Sequence, residues 1–368
     1  MLDNAVSFFK SKRPWSKYKD LILNYYLEPY LYKVATLGKP IVVADCFAGP
    51  GRFGDGEIGS PLIILKRLAS LHQKGMNVSA FFIEERPDFY QDLIKNTSDF
   101  TVPHEMREGT FREHVKELAA LAKFCTMFVY LDPFKPEDLR FHDFQAVYDM
   151  IKSGQSIETL INFMSSSFLR AVSGIRQKIT QQPLANKSLI RKWNEIAGGD
   201  YWQKILLNDS LSNSKKVDEI AKGYQEQLGK IFLYILSYPI RERYAHKFPK
   251  YHLIFGTRQT DAIDLMNRAM VKARREFVGA QFIKNMLFDN QPQKEVIDEK
   301  EIAQWVVSIL KITKKCSWKS LRIQITLTYP CKYTDSEINQ SIKKLIRNAK
   351  ICSDCNGTKI QEDATVWL

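Results

Sequence analysis

"VVADCFAGPGRFGDGEIGSPL", residues 42–62, decides the fold of this chain. A β-branched run ends on an acid, gives way to a glycine-rich turn, and leads into a second apolar stretch. Two templates compete for it. Gly49, Gly51 and Gly54 spell G-x-G-x-x-G, the dinucleotide fingerprint, whereas Asp45, Phe47, Gly49 and Gly51 spell D-x-F-x-G-x-G. The fingerprint needs its third glycine inside the opening helix, where it lets the helix approach the strand. Gly54 is instead followed by Asp55, Gly56, Glu57, Ile58 and Gly59, a loop sequence. The spacing predicts that the helix starts later, with Ser60 as N-cap and Pro61 in the first turn. The acid-then-glycine order is therefore the one to follow.

Working outward, "PIVVADCFAG", "VSAFFIEE" from Val78, "FCTMFVYLDPF" from Phe124 and "ETLINFM" from Glu158 each have the length of a buried strand. The early intervals are long enough for crossover helices, so the alternation predicts an α/β fold with a parallel, doubly wound, Rossmann-like sheet. An N-terminal helical segment, 1–38, precedes it. Within a domain spanning 39–288, residues 166–228 read as a helical insertion, and "KIFLYILSYPIRE" with "KYHLIFGTRQ" as an antiparallel pair finishing the sheet. "DNQPQKEV" marks a linker, 289–297. In 298–368, Asp298 and Glu301 resemble a capping pair before Ile302, Trp305, Val306 and Ile309, and Thr334 with Glu337 forms a capping box. Asn356-Gly357 between two strand-like runs signals a tight hairpin. Three helices and a hairpin predict a winged helix-turn-helix. Trp15, Trp193 and Trp202 read as packing residues in their helices.

The chain has 368 residues, a formal charge of +13 and six cysteines. So strong a basic balance points to a polyanionic partner, nucleic acid above all. Six cysteines are too few for a disulfide scaffold at this length, and a reducing, cytoplasmic setting fits. No apolar stretch approaches the ~18 residues of a membrane helix, and residues 1–14 offer no apolar signal core. Cys352 and Cys355 form a C-x-x-C, but Cys316 and Cys331 supply no matching knuckle, so a zinc site is not favoured; scattered histidines give no metal spacing.

Acids recur at strand ends. Beyond Asp45, "FFIEE" offers Glu84 or Glu85, of which we favour Glu84, and "VYLDPF" places Asp132, Pro133 and Phe134 at the next tip. Ligands in open α/β sheets bind outside such carboxyl ends. D-x-F-A-G-x-G with a later acid-proline-aromatic motif resembles the Rossmann-fold S-adenosylmethionine methyltransferases, especially those that methylate exocyclic amino groups of bases. More narrowly, "CFAGPGRFGDGEIGSPL", "FIEE", "YLDPF", "YWQKIL", "YHLIFGTR" and the C-terminal unit resemble the bacterial three-Cys-motif partner protein family. The resemblance implies S-adenosylmethionine held by Asp45, Phe47, Ala48, Gly49, Gly51, Glu84 and Thr110, with the acid of the second strand on the ribose hydroxyls. It implies catalysis by Asp132, Pro133 and Phe134, the acid accepting the target N–H and the aromatic stacking on an extruded base. It also implies a companion protein bearing the three-Cys motif and resembling radical S-adenosylmethionine enzymes. Two positions depart from the pattern. Thr110 stands where such enzymes often carry an adenine-binding Asp, and "DPF" lacks the second proline of D-P-P-Y. A non-catalytic nucleic-acid-binding or scaffold partner of the companion is the competing function; a nucleotide-dependent regulator is a third.

On the last predicted helix, Ile338, Ile342, Leu345 and Ala349 share one face, to pack on Trp305 and Ile309. Ser336, Gln340, Lys343 and Arg347 gather opposite. Gln340, Lys343 and Arg347 are thus candidates for nucleic-acid contact, with a solvated face that docks the companion as the alternative.

Overall fold

Hydrophobic runs of strand length, separated by amphipathic helices, can bury both faces only as a layered sheet, and the chain builds one. The structure, a computed structural model, describes residues 4–243, 246–285 and 297–368. The chain divides into two compact units, Met1–Arg258 and Gln259–Leu368.

In the first unit, helices α1 (Asn4–Phe9) and α2 (Pro14–Ala35) precede β1 (Ile41–Asp45), α3 (Ser60–His72), β2 (Val78–Glu84), α4 (Pro87–Thr97), β3 (His104–Glu108), α5 (Phe111–Leu121) and β4 (Thr126–Leu131). Then follow α6 (Gln145–Lys152), β5 (Ile157–Phe163), α7 (Ser165–Ser173), α8 (Arg176–Gln181), α9 (Lys187–Ala197), α10 (Tyr201–Leu207), α11 (Asn213–Leu228), β6 (Tyr234–Ile240) and β7 (Tyr251–Thr257). The seven strands lie in the order β3-β2-β1-β4-β5-β7-β6. β1 to β5 pair in parallel, and β7 runs antiparallel to both β5 and β6. The sheet is thus mostly parallel and Rossmann-like. It departs from the six-stranded dinucleotide order by the antiparallel strand set between the fifth and the last. The helical insertion forms as α7 to α11.

Alternate strand residues serve the two faces. Val42, Ala44, Phe81, Met127 and Val129 join a core with Phe111, Leu118, Val147 and Tyr148 from α5 and α6. On the other face Phe128 meets Tyr26 and Tyr30 of α2, at ring distances of 5.3 and 5.6 Å. Leu23, Leu27 and Leu31 of α2 are fully buried. At about 1.5–3 kcal/mol per buried aliphatic side chain they fix that helix firmly. Whatever α2 carries toward the strand tips is therefore held in place.

β3, "HEMRE", has no apolar run, because a strand at the sheet edge keeps one flank in water. α3 begins one residue from expectation: Gly59 is the N-cap and Ser60 the first helical residue.

The second unit contains α12 (Thr260–Asn285), α13 (Glu299–Thr313), β8 (Lys315–Ser317), α14 (Trp318–Thr328), α15 (Asp335–Arg347), β9 (Cys352–Ser353) and β10 (Thr365–Trp367), with strand order β8-β10-β9. The sequence grouped 259–288 with the preceding domain; the break falls instead after Arg258. The reason is packing. Asn267 of α12 donates to Tyr333 O and accepts from Cys331 N–H, Arg274 donates to Cys331 O, and Asp264 pairs with the buried Arg322 of α14 at 2.7 Å. The linker placed at 289–297 lies outside the described residues except for Ile297. α15 packs as expected through Ile338, Ile342 and Leu345 onto Trp305 and Ile309, but Ala349 lies past the helix end, exposed, at φ +50°. Asn356-Gly357 does not join two strands directly. Asn356 Oδ1 accepts from Thr358 N–H at 3.0 Å, a local turn inside the longer loop between β9 and β10.

Candidate functional site

A cavity of about 810 Å³ opens at the carboxyl ends of the parallel strands, walled by residues from the tips of β1, β2, β4 and β5. Its volume lies in the range of small-molecule and cofactor pockets.

The turn after β1 forms the first wall. Gly49 has φ +65° and Gly51 φ +75°, a left-handed backbone that favours glycine. Gly49 N–H donates to Glu84 Oε2 at 2.7 Å, and Arg86 N–H donates to Glu84 Oε1 at 2.9 Å. Each carboxylate oxygen keeps acceptor capacity for a ligand hydroxyl. Burial raises the Glu84 carboxyl above its ordinary value, against the lowering effect of those two amides. Phe47, Gly49, Glu84, Glu85 and Thr110 all line the cavity.

Asp45, Ala48 and Gly51 are not among the residues that line it. Asp45 is wholly buried, and its Oδ1 accepts Phe47 N–H at 3.2 Å. Burial pushes its carboxyl up to about 7. Ala48 N–H donates to Ile83 O at 2.9 Å, and Gly51 O accepts Gly59 N–H at 2.8 Å. These three shape the turn. Thr110 is committed elsewhere as well: it caps α5 in a reciprocal box with Glu113.

The opposite wall carries Asp132, Pro133 and Phe134. Asp132 is not open. Lys19 of α2 pairs with its Oδ2, and Asn162 at the tip of β5 donates Nδ2 to its Oδ1 at 2.7 Å. Phe134 is 37% exposed, with Phe8 of α1 edge-on at 5.7 Å. Sequence reasoning missed Lys19, Asn162, Phe8 and Phe9, all of which line the cavity. One signal existed for Lys19. It shares the 19-23-27 row of α2 with Leu23 and Leu27, so a lysine stands on an apolar stripe.

In the second unit, Gln340 and Arg347 are exposed and Lys343 is half-buried. The first turn of α15 is acidic and engaged by α12: Arg268 pairs with Asp335 at 2.8 Å and Arg275 with Glu337 at 3.0 Å. The basic stripe is thus confined to the middle and end of the helix. Among the described residues, no three His, Cys, Asp or Glu side chains gather as a metal site would require.

No family profile matches the chain, and no curated protein does either. Among solved structures, one described as a Zn-dependent alcohol dehydrogenase of Rhodobacter sphaeroides aligns over 60% of this chain and 84% of its own, at 14% identity and a TM-score of 0.29. So loose a superposition carries no assignment.

Proposed function

We propose that the chain is an S-adenosylmethionine-dependent methyltransferase acting on an amino group of a nucleic-acid base. The observation that carries this reading is the convergence on one cavity of the glycine turn after β1, the carboxylate of Glu84 and the Asp132-Pro133-Phe134 tip. The residues fit such a cofactor. Gly49 and Phe47 supply a surface bare of polar side chains, Glu84 offers acceptors for vicinal hydroxyls, and the cavity volume of about 810 Å³ suits a ligand of that size. When bound, the cofactor supplies an electrophilic methyl group on a sulfonium. Asp132 would accept a hydrogen bond from an N–H of the attacking amine, stabilise the positive charge that develops on that nitrogen, and be neutralised on taking the proton. Phe134, exposed at the mouth, offers a face for a flipped base. The net charge of +13 suits a polyanionic substrate, and the helix-strand-helix-helix-strand-strand order of residues 299–367 supports a winged-helix reading of the second unit.

One observation favours a second reading, a non-catalytic nucleic-acid-binding or scaffold partner of a three-Cys-motif companion. The acid that would receive the substrate proton is already paired with Lys19. Incubation with methyl-labelled cofactor and total nucleic acid separates the two: label in the nucleic acid supports the enzyme, and its absence alongside intact cofactor and nucleic-acid binding supports the scaffold.

A further inference from the structure

The loop that joins β6 to β7, "RERYAHKFPK" at 241–250, sets four lysines and arginines against one acid. β7 runs antiparallel to both β5 and β6, so this loop turns at the carboxyl ends of the parallel strands, the edge on which the cavity opens. Its closing end is fixed. Lys250 N–H donates to Ile240 O at 2.7 Å, the Ser166 hydroxyl donates to Pro249 O, and the Tyr251 hydroxyl donates to Trp15 O at 3.1 Å. Trp15, Lys250 and Tyr251 line the cavity, and Lys250 Nζ stands 4.8 Å from the centre of the Trp15 ring. The chain thus passes from the cavity wall directly into the loop.

The basic side chains of the loop are not spent on the fold. Arg241 is half-buried, Arg243 and Lys247 are exposed, and among the described residues none of the three is ion-paired to an acid. Phe248, set between Lys247 and Lys250, is 49% exposed. Cations that follow phosphates, interleaved with a ring that stacks on bases, are what a single nucleic-acid strand requires of a protein surface. The β2 and β4 side of the mouth offers no such surface. Glu85 and Glu137 line it, while Arg86 is paired with Asp88 at 2.8 Å and Arg112 with Asp143 at 2.9 Å. Lys135 N–H donates to Asp138 Oδ2 at 2.7 Å, and the two side-chain charges offset each other. Phosphates are therefore steered to the β7 side.

We propose that the 241–250 loop is the docking site of a single nucleic-acid strand at the mouth of the cavity. Arg241, Arg243 and Lys247 take phosphates, Phe248 stacks on a base, and Lys250 beside Trp15 guides the adjoining nucleotide inward. Only that last step, delivery of a base toward Asp132, rests on the methyltransferase reading.

Fluorescence anisotropy of the full chain with a labelled single-stranded oligonucleotide of mixed sequence, titrated at several salt concentrations, is the test. Arg241→Gln/Arg243→Gln/Lys247→Gln should weaken binding by about tenfold or more and lower the slope of log affinity against log salt by about 0.7 per lost contact. Phe248→Ala should weaken it by about fivefold or more and leave the slope as it is. Lys95→Gln/Lys116→Gln/Lys123→Gln removes the same charge from exposed positions on and beside α4 and α5, and should stay close to wild-type affinity. A wild-type chain that does not bind, loop variants that bind as wild type does, or a control that weakens binding equally overturns the docking site. Calorimetry of the wild-type chain with S-adenosylhomocysteine reads the cofactor separately. Loop-dependent binding of the oligonucleotide without heat from S-adenosylhomocysteine upholds the docking site and contradicts the cofactor assignment; heat without loop-dependent binding does the reverse.

Discussion

The amide of Gly49 donates to Oε2 of Glu84 across 2.7 Å and so ties the tip of β1 to the tip of β2. Glu84→Ala leaves that buried N–H without its acceptor and should cost about 1–3 kcal/mol in denaturant unfolding. Glu84→Gln, which keeps an acceptor oxygen, should cost less. Gly49→Val meets both a φ of +65° and the Phe9 ring at 2.7 Å, and should lose on the order of 1–3 kcal/mol. A wild-type midpoint in Glu84→Ala and Gly49→Val would show that the turn does not depend on these two features.

Asp132 separates catalysis from scaffolding. If it accepts the substrate N–H, Asp132→Asn should lower methyl transfer by about 100-fold or more while cofactor affinity stays within a few-fold. Single-turnover assays beside calorimetry measure both. Lys19→Met frees the carboxylate from its ion pair and should alter transfer without touching Glu84. Full activity in Asp132→Asn would remove the acid from the mechanism.

Two buried carboxyls make stability fall with pH. Burial raises Asp45 and Glu158 from 3.8 and 4.5 to about 7 each, so the folded chain holds protons that the unfolded chain has released. Their contribution is full below pH about 4 and is lost as pH rises through about 7. Asp45→Asn keeps an acceptor for Phe47 N–H and removes the titration. Its stability relative to wild type should climb between pH 4 and 7 by up to about 1.4 kcal/mol per unit. A difference that is flat with pH would contradict the burial argument.

The stripe on α15 can be tested by salt. Charge reversal at Lys343 and Arg347 should weaken nucleic-acid binding and lower the slope of log affinity against log salt by about 0.9 per lost phosphate contact. An unchanged slope with lost binding of a companion protein would make the second unit a protein-docking module.

The sheet was legible where buried strands announce themselves as β-branched runs ending in Asp45, Glu84 and Asp132. It was illegible at β3, whose polar edge residues leave no apolar signature. The site was half legible. Glu84, Gly49 and Asp132 sit at strand tips that local sequence marks, and they share a cavity. Asp45 belongs to the same motif but is turned inward, because its carboxylate serves the turn it precedes. Lys19 and Asn162 reach Asp132 from 113 and 30 residues away, a closeness set by tertiary packing. Asn356-Gly357 misled for the opposite reason. A turn forms there, but the strands it was to join pair only at Cys352–Ser353 and beyond Thr365.

The most direct test of the central claim is calorimetric titration of the purified full chain with S-adenosylmethionine, S-adenosylhomocysteine and NAD in parallel. The account predicts saturable one-to-one binding of both sulfur compounds, weakened strongly in Glu84→Ala, and no binding of NAD. Binding of NAD, or no heat with either sulfur compound from a folded chain, would contradict it.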